Sequence, residues 1–90
     1  MFDYSFSDEF KAIIKKLNKK DRKKSLIIAK KIQEIINNDE KSIERYKNLK
    51  NVMKDRKRVH IDKHFVLIFK VDKENNFILF TDFNHHDKVY

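Results

Sequence analysis

Ninety residues with 22 Lys or Arg against 14 Asp or Glu give a formal charge of +8 and a pI near 9.7, on a length that supports one domain, 1–90, and excludes a second. Eight Phe and three Tyr within a 40% apolar share exclude a disordered tail, and the absence of Cys excludes disulfides, thiolate zinc sites and a thiol nucleophile. The longest apolar run, Phe65 to Phe69, is far short of a membrane span, and Met1-Phe2-Asp3-Tyr4 does not open a secretory leader, so a soluble cytoplasmic domain is expected.

Phe2, Tyr4 and Phe6 alternate with Asp3 and Ser5, the period of a short strand. Ser7 is a good helix N-cap, and Asp8 and Glu9 suit the positive end of a helix dipole. Phe10, Ile13, Ile14 and Leu17 then form one apolar stripe, predicting a helix to about Asn18. Asp21 can cap a second helix with the stripe Ile28, Ile32 and Ile35, widened by Ala29 and Ile36 and stopped by Asn37-Asn38-Asp39. The stretch from Asp39 to Val52 is polar, with Ile43, Tyr46 and Leu49 three residues apart, which fits a helical turn.

From Lys54 the period changes to two. Arg56, Arg58 and His60 alternate with Lys57, Val59 and Ile61, so the first three share one face of a strand. Asp62-Lys63 reads as a turn, Phe65 to Val71 as a central strand apolar on both faces, Lys73 to Asn76 as a second turn, and Phe77 to Phe83 as a third strand. Gly and Pro are absent, so any position needing positive φ falls to Asn or a similar residue, Asn first. The sum is an α+β domain: an N-terminal strand, an αα-hairpin, then a three-stranded antiparallel meander, with the helices on one face of a small antiparallel sheet.

The charge is uneven. Residues 11–31 carry a net +9 and residues 45–63 a net +6, separated by residues 32–44 at −3. The first block reads as the solvated backs of helices. The second puts Arg56, Arg58 and His60 on a face that the helices do not need, where guanidinium groups suit phosphodiester oxygens; a charged edge defended against strand pairing is the other reading. Past the last strand, Asn84-His85-His86-Asp87-Lys88-Val89-Tyr90 supplies acid/base and hydroxyl groups. A metal site drawing on His60, His64 and these histidines has no recognised ligand spacing, and no metal or other cofactor is expected.

In their order and spacing these strings resemble the RelE/ParE toxin superfamily, over almost the whole chain. The resemblance is carried by the N-terminal strand, the helical hairpin, the turn Leu49-Lys50-Asn51, the basic strand Arg56 to Ile61, the strand Phe65-Val66-Leu67-Ile68-Phe69-Lys70-Val71, and the ending His85-His86-Asp87-Lys88-Val89-Tyr90. It implies a RelE-like fold and the toxin of a type II toxin–antitoxin pair: an endoribonuclease that cuts mRNA in the ribosomal A site and is neutralised by a RelB-like antitoxin. Attack of a 2′-hydroxyl on the adjacent phosphate needs positioning, proton transfer and charge neutralisation, and no metal. Carried over by position, Lys50, Lys54, Arg56 and Lys57 would bind RNA phosphates. Arg58 would meet transition-state charge, with His60, His86 and Tyr90 completing the catalytic set.

Two positions depart from the family pattern: Val66 and His86 stand where the family usually has Arg. The ParE branch shares the fold and poisons DNA gyrase without cutting RNA, and a non-catalytic basic nucleic-acid-binding module is a further alternative.

Overall fold

The computed structural model of the chain describes residues 1–49, 55–85 and 87. Among them the elements are β1 (Asp3–Phe6), α1 (Asp8–Lys20), α2 (Arg22–Ile36), a 3-10 turn (Ser42–Arg45), β2 (Lys47–Asn48), β3 (Arg56–Ile61), β4 (Phe65–Asp72) and β5 (Phe77–His85). The strands form one sheet in the order β1-β5-β4-β3-β2.

Local chemistry sets the helix ends. The Ser7 hydroxyl accepts from the Phe10 N–H at 3.1 Å and Asp21 Oδ1 accepts from the Lys24 N–H at 3.1 Å, the two expected N-caps. Helix α1 continues past Asn18 to Lys20, with two lysines at its negative end. The hairpin is fastened where the Ser25 hydroxyl donates to Asn18 Oδ1. Phe10, Ile28, Ile32, Ile35 and Ile36 are buried, whereas Ala29 is exposed and lies outside the stripe that does the packing.

Val66, Leu67, Ile68 and Phe69 are buried in succession, as a central strand flanked on both faces requires. Leu67 and Phe69 join Phe80, Ile78, Phe83 and the helix isoleucines in the main core. The meander is antiparallel as expected. The sheet as a whole is mixed, because β1 runs parallel to β5, with Asp3 paired to Phe77 and Phe6 to Phe80. The helical hairpin carries the chain from β1 to β2 at the opposite edge, and the antiparallel run β2-β3-β4-β5 then brings β5 alongside β1 in the parallel sense.

Between the helices and β3 the three-residue spacing becomes the 3-10 turn, whose Ile43 and the following Tyr46 enter the main core. Leu49 instead crosses to the other sheet face and packs on Val66 and Ile68. The turns take their positive φ at Asp62 (60°) and Asn76 (51°), residue types that tolerate the left-handed region. No helix among the described residues is long and apolar enough to cross a membrane.

Candidate nucleic-acid interface

Strand β3 alternates as its sequence does. Val59 and Ile61 pack toward the helices, so Arg56, Arg58 and His60 face away from them. The register with β4 puts Arg56 across from Lys70, Arg58 across from Ile68 and His60 across from Val66. Arg56 and Arg58 are half-buried and His60 is exposed. The Cα atoms of residues two apart on one strand are spaced by about 6–7 Å. Lys70, absent from the sequence-derived set, is brought beside Arg56 by cross-strand pairing, with its ammonium held 3.2 Å from Asp55.

Lys57 goes the other way. It was expected to bind RNA with its neighbours, but its side chain lies on the helix side, nearly fully buried. Its ammonium donates to the Tyr46 carbonyl at 3.1 Å and to Asn48 Oδ1 at 2.8 Å, and it lies 3.6 Å from Glu44. A depression of about 420 Å³ opens beside it, with Glu44 also paired to Lys73 at 2.8 Å and Lys70 to Asp55 at 3.2 Å. These pairs hold the Glu44 carboxyl below its ordinary value, the hydrogen bond from Lys73 first and the charge of Lys57 next. The arrangement fastens the segment before residue 49 to β3, and the cations on its rim are spoken for by acids.

Lys50, Lys54, His86 and Tyr90 lie outside the described residues. His85, expected in a tail, closes β5 opposite Phe65. Its ring stacks on His64 with centroids 5.8 Å apart and meets Phe65 edge-on at 5.5 Å, on the helix side where Lys24 sits 3.8 Å above the Phe65 ring. That cluster is on the other side of the sheet from Arg58. Among the described residues no three His, Asp or Glu side chains gather as a metal-ligand set. Val66, where the family usually has Arg, is fully buried beneath Leu49, so among the described residues the guanidinium groups of this face come from β3.

One carboxylate on this face escaped the sequence reading. Strand β5 carries an extra residue, Thr81, between the pairs Ile68–Asp82 and Phe69–Phe80. The Thr81 hydroxyl donates to the Ile68 carbonyl at 3.3 Å and the Thr81 carbonyl accepts from the Ser7 hydroxyl at 2.9 Å. The bulge resets the alternation, so that Phe80 and Phe83 both reach the core while Asp82 turns to the arginine face, 3.9 Å from Arg56 Nη1. Burial raises the Asp82 carboxyl above its ordinary value; Arg56 draws it down and Glu9 adds to the rise. A signal was there to be found. Unbroken alternation would put Asp82 on the face of Ile78 and Phe80, a carboxylate in the core, and only an inserted residue avoids that.

A mixed five-stranded sheet with a helical hairpin on one face and two strand arginines on the other defines a small basic α+β domain. Residues 4–90 match the family model described as the ParE toxin of the type II toxin–antitoxin system parDE, and the chain belongs to this family, within the RelE/ParE superfamily. It is 44% identical over 90 residues to a Methanocaldococcus jannaschii protein named "Putative toxin RelE4", covering 100% of this chain and 92% of that one. It is likewise 44% identical over 90 residues to an uncharacterized protein of Methanosarcina mazei, with 100% of both chains covered. The solution structure of the conserved hypothetical protein HP0892 from Helicobacter pylori shares the fold with a TM-score of 0.61 at 19% identity, over 100% of each chain. The protein is therefore a toxin of a type II toxin–antitoxin system, and an antitoxin is its implied partner.

Proposed function

We propose that the chain is an endoribonuclease that cuts mRNA on the ribosome in the cytoplasm. The observation that carries this is the sharing of one sheet face, the one turned from the helices, by Arg56, Arg58 and His60. In the reaction a ribose 2′-oxygen bonds to the adjacent phosphorus, losing its proton to a base, and the 5′-oxygen leaves and takes up a proton. A 2′,3′-cyclic phosphate and a 5′-hydroxyl remain. Arg58 neutralises charge gathering on the phosphoryl oxygens, Arg56 holds a neighbouring phosphate, and His60 exchanges protons. His86 and Tyr90 are assigned to the same site by their position in the family pattern, as are Lys50 and Lys54 as RNA contacts. Lys57 is left out of the RNA contacts because its ammonium is engaged on the helix side. The antitoxin, in this reading, is acidic and RelB-like and covers the basic surface.

The second reading is a gyrase poison. It is favoured by the family model, which is that of the ParE toxin. Induced expression, with mRNA ends mapped and plasmid supercoiling followed in the same cells, separates the two: fresh mRNA ends with normal supercoiling support the nuclease, and lost supercoiling with intact mRNA supports the poison.

A further inference from the structure

We infer that Asp82 selects ribose on the arginine face, its carboxylate accepting a hydrogen bond from the 2′-hydroxyl of a nucleotide whose phosphates lie on Arg56 and Arg58. The inference rests on the RNA-cutting reading and goes beyond it by naming the sugar contact and the residue that makes it.

The placement of Asp82 is specific. It sits directly across Ile68 from Arg58 and diagonally from Arg56, with β4 between. It reaches this face only through the Thr81 bulge, which the Ser7 hydroxyl and the Ile68 carbonyl pin from two sides. Bulges of this kind re-aim a side chain. The contact to Arg56 is 3.9 Å, well beyond the roughly 2.7–2.9 Å of a charge-assisted hydrogen bond, so Arg56 steadies the carboxylate without consuming its acceptor capacity.

The chemistry of a polynucleotide then narrows the donor. A carboxylate on a phosphate-binding surface repels the ligand unless the ligand brings it a hydrogen. Beside the backbone phosphate the group that does so is the ribose 2′-hydroxyl, present in RNA and missing from DNA. Asp82 is half-buried and its neighbour Ile68 is apolar, so a ligand without the donor leaves the ion partly desolvated and unmatched. Sites built to bind a hydroxyl reject analogues lacking it far more strongly than apolar pockets reject a missing methylene. Arg56 and Arg58 attract any phosphodiester; Asp82 makes the attraction conditional on the sugar.

The test is binding of the full chain at low salt to three short strands of one base sequence, with uracil throughout: RNA, DNA and 2′-O-methyl RNA. The methylated strand keeps the oxygen and loses the donor. The wild type is expected to bind RNA about tenfold more tightly than either of the others. Asp82→Ala should tighten binding of the DNA and 2′-O-methyl strands, by removing a repulsive charge, and bring all three affinities together. A purely structural role would weaken all three alike. Should Asp82→Ala not fold, the isosteric Asp82→Asn carries the comparison, with the RNA preference falling about threefold.

Equal affinity of the wild type for all three strands, binding of none of them, or a preference that survives both variants would overturn the inference. The two readings fail separately. A wild type that cuts mRNA yet ignores the sugar refutes the role of Asp82 alone. A wild type that prefers ribose through Asp82 yet leaves mRNA intact refutes the nuclease alone.

Discussion

Arg56 on β3 and Asp82 on β5 meet at 3.9 Å across the full width of β4, joining the basic strand to the only bulge in the register of β4 and β5. The pair couples the candidate interface to the sheet beneath it. Because burial outweighs Arg56, the Asp82 carboxyl is raised, and its ionised form is disfavoured in the folded chain. The native state therefore loses stability as pH rises from the ordinary carboxylate range through the raised folded value. Asp82→Asn should melt at a higher temperature than the wild type at neutral pH, and the gap should close on acidification below the ordinary carboxylate range. Thermal melts across pH check this.

Asp39 and Asp72 act with the opposite sign. The Asp39 carboxylate accepts from the backbone N–H groups of Ser42 and Lys41, and Asp72 accepts from the side chain and backbone of Asn75. These bonds lower both carboxyls below their ordinary value, led by the Ser42 backbone for Asp39 and the Asn75 side chain for Asp72. Their stabilisation is present above about pH 4 and disappears as pH falls through the lowered folded values. Asp39→Asn with Asp72→Asn should flatten the acid side of the melting profile and leave the neutral side nearly as shallow as before.

Lys57 is a structural cation. Lys57→Ala removes the donor that the Tyr46 carbonyl and Asn48 Oδ1 share and costs about 2–3 kcal/mol in urea unfolding, while Lys57→Met, which keeps the buried stem, costs less. Any loss of activity in Lys57→Met should follow its stability and recover on cooling.

How much of this was written in the sequence depends on the range over which each feature is decided. The caps at Ser7 and Asp21 and the shared face of Arg56, Arg58 and His60 follow from spacing along a few residues, and they are where the sequence put them. The parallel seat of β1 beside β5 depends on how the hairpin packs, which no local period records. Lys70 joins the face only through register with Arg56, and β2, two residues long, has no period to read. Lys57 marks a conflict between two signals, alternation placing it with the core and family likeness placing it on RNA; burial of its long stem, with three partners for its ammonium, decided for alternation.

Leu49 tests whether the second face is a designed surface. It packs on Val66 and Ile68 and is nearly fully buried there. Leu49→Ala should cost about 2 kcal/mol, the low end for a core leucine because the cluster is small and one-sided. Leu49→Met should cost under about 1.5 kcal/mol. Urea melts give both values.

The central claim is that Arg58 carries the chemistry of the arginine face. The most direct measurement is mRNA cleavage in a reconstituted translation system, comparing wild type with Arg58→Ala after both are shown to melt alike. The expected result is cleavage at A-site codons by the wild type and a rate lower by about 10²–10³-fold in the variant, the usual cost of removing one transition-state charge contact. Equal cleavage by the two proteins, or intact mRNA with the wild type, would contradict it.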